Sequence, residues 1–263
     1  MVSTPSFVGW VPDGAWLTPT YAEWQPPAAL RGAVACLWAS VAPDGAGRDG
    51  LVLPDGCSDL IWDSSVGGYV AGPDTGPVRT RTAAGVVTVG ARFLPAAGGP
   101  ALGLPLSELR DQRVSLTDLL TARFPVQARY LTPALSPAAA AAILLDVTGR
   151  LVDDGRPDPA AAHVAALLRD PAARTEDVAA RTGLSERQLR RRVHAAAGYG
   201  PKTLQRVLRF HRFVRLLDAT ADLPDLAAAA AQAGYADQPH LTRECRALSG
   251  HTPASLHRLR QPG

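Results

Sequence analysis

Arginine side chains are concentrated on one short segment of this chain of 263 residues. Arg190 and Arg191 follow Arg187 by three and four residues, a spacing that places all three on one face of a helix. The planar arginine guanidinium binds phosphate oxygens, and it can donate two hydrogen bonds to O6 and N7 of guanine. The residue types and their spacing therefore predict a helix that lies against nucleic acid. The alternative is a charged face that meets solvent and contacts phosphates at most.

The residues around these arginines predict two helices joined by a tight turn. Gly183 supplies the turn, and Ser185 is an N-cap for the second helix. Leu189 and Val193 lie four residues apart in that helix and form its buried side. Residues 175–198 are therefore predicted to be a helix-turn-helix unit.

The same arrangement recurs further along the chain. Gly234 repeats the turn, Asp237 repeats the cap and Leu241 repeats the buried leucine. Residues 223–249 are thus predicted to be a second helix-turn-helix unit. Glutamine can read adenine with two hydrogen bonds, and threonine can contact the methyl group of thymine. The positions of this unit that match the arginine face are Gln238, His240, Thr242 and Arg243.

A single helix, residues 202–218, is predicted to connect the two units. At 1.5 Å per residue it is roughly 25 Å long, a length that suits two recognition helices in major grooves roughly 34 Å apart. Its basic residues recur every three or four positions, which indicates either a stripe that binds phosphates or ordinary surface charge. These residues are Lys202, Arg206, Arg209, Arg212 and Arg215.

The front half of the chain has a different pattern. Short apolar runs separated by turn residues predict β-strands, and their spacing is typical of a β-sandwich or small barrel. These runs are residues 33–41, 50–53, 60–62, 69–71 and 86–93. Helical periodicity follows after Pro105, with a longer helix over 137–152. The sequence GRPDP at 155–159 interrupts it, so we expect one domain over 1–155 and a second over 156–263.

Cys57 lies between Asp55 and Asp59 in this front half. Covalent chemistry, redox sensing or metal capture are alternatives to a role in packing. Two neighbouring carboxylates raise the pKa of a thiol, which opposes thiolate chemistry. The tryptophans of the front half either fill its core or line a pocket, and an arginine there could pair with an acidic effector. The candidate effector-binding residues are Trp38, Asp55, Cys57, Asp59, Trp62 and Arg92.

Charge is divided unevenly along the chain. From Arg174 onward there are 15 basic and 8 acidic residues, whereas the preceding part has 12 basic and 16 acidic residues. This asymmetry predicts that only the back half meets a polyanion. The three cysteines are scattered, and no sequence motif of a hydrolase, metalloprotease or nucleotide-binding loop occurs. We therefore expect no enzyme activity, metal or cofactor, no membrane association and a cytoplasmic location.

Residues 160–257 resemble the DNA-binding domain of AraC/XylS-type transcription regulators. Two stretches carry the resemblance: LSERQLRRRVHAAAGYGPKTLQRVLRF (184–210) and AAAAQAGYADQPHLTRECRALSGHTPASL (228–256). In the front half, residues 21–38, 53–63 and 89–95 look like the sensor half of some members. Pro239 is a departure, since a polar residue often occupies that position.

This resemblance implies an α+β protein with two domains: an N-terminal β-rich, barrel-like (cupin-like) sensor with helices, and a C-terminal all-α double helix-turn-helix. It implies double-stranded DNA as the partner, with contacts from Arg187, Arg190 and Arg191 and phosphate contacts at the ends of the connecting helix, where Lys202 lies. A small-molecule effector, a homodimer and contact with RNA polymerase are further partners that it allows. The alternative function is a Cys57-based covalent or redox sensor, or an enzyme, fused to a DNA-binding domain.

Overall fold

Two antiparallel sheets make up the N-terminal part of the protein. The computed structural model describes residues 21–45, 47–119 and 126–260. A six-stranded sheet has the order β1-β2-β7-β4-β5-β8, and β3 pairs with β6 in a separate ribbon. The strands are β1 (Tyr21–Trp24), β2 (Val34–Val41), β3 (Arg48–Val52), β4 (Ser58–Asp63), β5 (Gly67–Ala71), β6 (Val78–Thr82), β7 (Val87–Phe93) and β8 (Arg113–Ser115).

Each of the five predicted strands is present, and the described residues contain three more, β1, β6 and β8. Strands β1 and β8 are the two edges of the large sheet, and β6 pairs only with β3. Such strands need little apolar surface, so a search for apolar runs misses them. The two-domain α+β class is confirmed, but the six-stranded sheet is open and not closed into a barrel.

The large sheet has two unlike faces because successive side chains point to opposite sides. Leu60 and Trp62 of β4 are fully buried against the main N-terminal core, whereas Asp59 and Ile61 lie on the other face. The core face is covered by the helix α3 (Pro137–Asp154), which contacts β7 and β4. Two short helices, α1 (Gly98–Leu102) and α2 (Leu116–Leu119), complete this part.

Helices and the turns that join them make up the described residues of the C-terminal part. Its helices are α4 (Pro159–Leu167), α5 (Thr175–Thr182), α6 (Glu186–Ala197), α7 (Pro201–Asp218), α8 (Leu226–Ala233), α9 (Gln238–Ser249) and α10 (Pro253–Arg260). Helix α7 belongs to two separate cores. Leu204 and Val207 in its first half pack with α4, α5 and α6, whereas Phe210 and Phe213 in its second half pack with α8 and α9.

None of the described helices is both long and apolar enough to cross a membrane. Two of the front-half tryptophans, Trp10 and Trp16, lie outside the described residues, as does Leu120 in the stretch of helical periodicity after Pro105.

Candidate nucleic-acid interface and sensor site

The first helix-turn-helix is held by local contacts that the sequence encodes. Gly183 has φ +64°, in the left-handed region that glycine adopts without strain, and it ends α5. Ser185 begins α6 with a capping box, in which its hydroxyl accepts from Gln188 N and Gln188 Oε1 accepts from Ser185 N. Leu189 and Val193 are fully buried. These contacts fix which face of α6 points outward.

That outward face carries Arg187, Arg190 and Arg191, and all three side chains are exposed. In the described part of the chain no carboxylate lies within ion-pair distance of them. Arg192, on another side of the helix, instead pairs with Asp158 at 2.9 Å. The structure thus separates one structural arginine from three that are free to meet a ligand.

The second unit repeats this geometry. Gly234 ends α8 with φ +89°, and the Asp237 carboxylate accepts from His240 N at 2.6 Å to cap α9. Pro239 lies in the first turn of α9, where its missing N–H costs the helix nothing. The His240 ring packs edge-on against the Tyr235 ring, with 5.2 Å between their centres. One side of the His240 ring is therefore covered by the protein itself.

An open depression on α9 gathers the remaining predicted residues of the second unit. Gln238 and Arg243 are exposed and Thr242 is partly exposed. The depression is also lined by Pro239 and by exposed Arg246, which our prediction from sequence omitted. The sequence could have indicated Arg246, because it follows Arg243 by three residues and Thr242 by four and therefore lies on the same face of the helix.

The connecting helix does not present one continuous basic surface. Lys202 and Arg215 are exposed. Arg206 Nε is 2.5 Å from Glu244 Oε2 of α9, and the Arg209 guanidinium lies over the Tyr235 ring, 5.5 Å from its centre. The middle of the predicted stripe therefore contacts the second unit, whereas Lys202 and Arg215 near its ends are exposed.

On the N-terminal sheet, the structure brings together most of the predicted effector residues. Arg92 of β7 lies between β2 and β4, with its Nε 3.2 Å from Asp59 Oδ1 and 3.5 Å from Asp55 Oδ2. Glu23 of β1 is 3.4 Å from Arg92 Nη1. The Trp38 indole donates to Asp59 Oδ1 at 2.6 Å. Asp59 raises the pKa of Arg92, so its charge is fixed.

Trp62 does not belong to this cluster. It is fully buried on the core face, where its indole N–H donates to the Thr132 carbonyl oxygen at 2.8 Å. Residues 59 and 62 are separated by an odd number of positions, which puts them on opposite faces of a strand. The sequence could have excluded this residue once β4 was recognised.

Cys57 lies in the loop before β4, where its backbone N–H donates to Asp55 Oδ1 at 2.8 Å. Burial first, and the Asp55 charge second, raise the pKa of the Cys57 thiol. Burial also raises the pKa of Cys36, to about 12. Because the thiolate is the reactive form, this site favours packing over thiol chemistry. Among the described residues there is also no group of three or more His, Cys, Asp or Glu side chains that could hold a metal ion.

The two parts of the protein touch closely at the C-terminal end of α6. A Cβ at Gly99 of α1 would lie 2.7 Å from the Ala195 carbonyl oxygen. A Cβ at Gly198, just after α6, would lie 2.5 Å from Pro73 Cγ. Gly56, beside Cys57, makes a looser contact, since a Cβ there would lie 3.2 Å from Leu204 Cδ1 and 3.5 Å from the Tyr199 hydroxyl oxygen. The sheet domain is therefore docked on the turn between α6 and α7.

Comparison with known proteins gives two family matches. Residues 178–258 match a family described as a helix-turn-helix domain, and residues 22–115 match one described as a domain of unknown function (DUF6597). The helix-turn-helix match covers the second unit completely and the first unit from residue 178 onward. No curated protein matches the chain.

Solved structures similar to this chain include a probable AraC family transcriptional regulator from Rhodopseudomonas palustris, with 23% identity and a TM-score of 0.36, over 40% of this chain and 100% of that one. A structure of ToxT from Vibrio cholerae has 9% identity and a TM-score of 0.47, over 86% of this chain and 99% of that one. A ToxT structure with a bound unsaturated fatty acid has 10% identity and a TM-score of 0.41, over 90% and 93% of the two chains.

Proposed function

We propose that this protein is a sequence-specific DNA-binding transcription regulator of the AraC/XylS type, since residues 178–258 match a helix-turn-helix domain family. The observation that carries the proposal is the outward face of α6. Arg187, Arg190 and Arg191 are exposed there without a carboxylate partner among the described residues, and each can bond guanine O6 and N7 at once.

The second unit supplies a second reading surface. Gln238, Thr242, Arg243 and Arg246 line one open depression on α9. Helix α7 has 18 residues, a rod of roughly 27 Å at 1.5 Å per residue. With one recognition helix near each end, a single chain would read two half-sites on one side of the duplex. Lys202 is exposed in the first turn of α7 and would contact phosphate in this arrangement.

The N-terminal domain is proposed to control this binding. The loop that holds Asp55 and Cys57 next to Arg92 also packs, through Gly56, on Tyr199 and Leu204 of the DNA-binding domain. A small molecule that rearranged the Arg92 cluster, or self-association through this domain, would therefore disturb the turn after α6. Dimerisation and contact with RNA polymerase stay predictions.

The test of DNA reading compares Arg190→Ala with the intact protein in a selection from random duplexes. If Arg190 reads a base, the selected site should lose its preference at one position, by about 1–3 kcal/mol. Arg150→Ala is the matched control, since it removes an exposed arginine from α3 of the other domain and should leave the site unchanged. An equal loss of affinity for every sequence would instead mean that Arg190 contacts only phosphate.

A further inference from the structure

Arg212 joins the two helix-turn-helix units to one another. Its Nη1 donates to the carbonyl oxygen of Ala233, the last residue of α8, at 2.9 Å. Its Nη2 donates to the carbonyl oxygen of Arg169, which follows α4. Helix α4 and residues 168–173 pack in one core with α5 and α6, so they are counted with the first unit from here on. Carbonyls at the end of a helix lack a partner within the helix, and one guanidinium here serves groups from both units.

The turn of the second unit also touches the first unit directly. A Cβ at Gly234 would lie 2.3 Å from Pro171 Cβ, and Gly234 has φ +89°. Only glycine fits both the close approach and the backbone conformation. The turn that orients α9 is therefore pressed against the segment between α4 and α5.

The segment between α4 and α5 is also hydrogen-bonded to α7. Gln205 Nε2 of α7 donates to the Ala173 carbonyl oxygen at 2.5 Å. Residues 169–173, Arg212 and Gly234 thus form a junction between the units, and we refer to it as the inter-unit junction. The contacts of Arg206 with Glu244 and of Arg209 with Tyr235 hold α9 and its turn to the same rod.

We propose that the inter-unit junction sets the spacing between the two DNA half-sites that this protein recognises. This inference rests on the proposed function. Adding one base pair between two half-sites rotates one relative to the other by roughly 35° and moves it by about 3.4 Å. The second unit is fixed to α7 and, through its turn, to residues 169–173, so it cannot move to a half-site displaced in this way. A second unit released from the inter-unit junction can. Arg212 is in this sense a positioning residue, and it contacts no DNA.

The experiment measures binding to a selected operator and to versions whose spacer is one base pair shorter or longer. We expect the intact protein to bind the altered spacers about tenfold more weakly, since the second unit loses base contacts there. Arg212→Ala should reduce this discrimination to about threefold or less, with affinity for an isolated first half-site unchanged. Arg150→Ala is the control, because it removes an exposed arginine from α3 of the other domain, and it should discriminate as the intact protein does.

Arg212→Lys keeps the charge but replaces the two guanidinium nitrogens that reach the two carbonyls with a single ammonium group, so it should restore part of the discrimination. It also provides the test if Arg212→Ala does not fold, as judged by its thermal unfolding. Full spacer discrimination in both Arg212 variants would overturn the inference. So would an equal loss of affinity for all spacers, which would make Arg212 a phosphate contact. If the intact protein bound no specific sequence, the result would contradict the proposed function itself. The outcomes for the Arg212 variants bear only on the inter-unit junction.

Discussion

Arginines of this protein have different roles because their neighbours differ. Arg92 is surrounded by three carboxylates, and Arg192 and Arg206 each pair with one. Arg190 and Arg187 have no such partner among the described residues and are exposed. A guanidinium that pairs with a carboxylate has committed its charge and some of its donors to that partner, whereas an exposed and unpaired one keeps all five N–H groups for a ligand. Function at this scale follows from what each side chain touches.

The buried thiols should make the free energy of unfolding fall as the pH rises above about 8.5, the pKa of an unfolded thiol. Burial raises the pKa of Cys245 to about 11 and that of Cys36 to about 12, whereas an unfolded thiol has a pKa of about 8.5. Stabilisation from these groups is complete below the unfolded pKa. Above it the unfolded chain releases protons that the folded chain keeps, so the free energy of unfolding should fall by about 1.4 kcal/mol per pH unit for each thiol.

Urea denaturation at a series of pH values from about 7 to 10 measures this loss. Cys245→Ala removes one titrating thiol. The decline of the free energy of unfolding with pH should then be less steep by about 1.4 kcal/mol per pH unit, the contribution of one proton. An identical slope in the variant would argue that Cys245 titrates no differently in the folded and unfolded chains.

Among the elements, α6 depends most directly on its first turn. The capping box between Ser185 and Gln188 satisfies backbone donors that the helix leaves free, and Arg187 lies within the same turn. Fraying of this turn would move the arginine face. The sequence encodes the cap and the contact residues within a few positions of each other.

Ser185→Ala should lower the free energy of unfolding by about 1 kcal/mol, since the hydroxyl that accepts from Gln188 N is lost. Ser185→Thr retains that oxygen and is expected to keep most of the stability. Urea denaturation of both variants gives the comparison. Equal losses in the two would show that the packing at this position, and not the cap, is what matters.

At the scale of the whole molecule, the docking of the two domains depends on small residues. Gly99 lets α1 approach the Ala195 carbonyl oxygen, and Leu51 and Leu53 pack against the core of the second unit. The sheet domain therefore contacts both helix-turn-helix units. Such contacts are the physical basis on which a sensor could act on DNA binding.

Gly99→Ala should weaken this docking, because its methyl group would overlap backbone atoms of α6; overpacking of this kind costs about 1–3 kcal/mol. We expect faster cleavage after Asp154, at the end of α3, by endoproteinase Glu-C in phosphate buffer, where this protease also cuts after aspartate. Gly149→Ala is the matched control, since a Cβ there would meet no described atom within 4 Å beyond the backbone of its own helix. Cleavage of Gly99→Ala at the rate of the control would contradict the proposed role of this contact.

The C-terminal helices could be predicted because their signals are local. Gly183 and Gly234 mark turns, Ser185 and Asp237 mark caps, and each depends on residues only a few positions away. The central strands were predicted for a similar reason, since burial on a sheet requires apolar residues. The edge strands β1 and β8 were missed because a strand with one neighbour needs fewer of them.

The sequence by itself determined the two helix-turn-helix units, the rod between them and the arginine face of α6, because capping, turn and periodic patterns act over a few residues. Only the tertiary structure decided that Arg206, Arg209 and Arg212 serve the second unit, and that Arg92 is matched by three carboxylates. The reason is physical: whether a charge is free depends on partners that are distant in the chain, and only the folded packing brings them within a few ångströms.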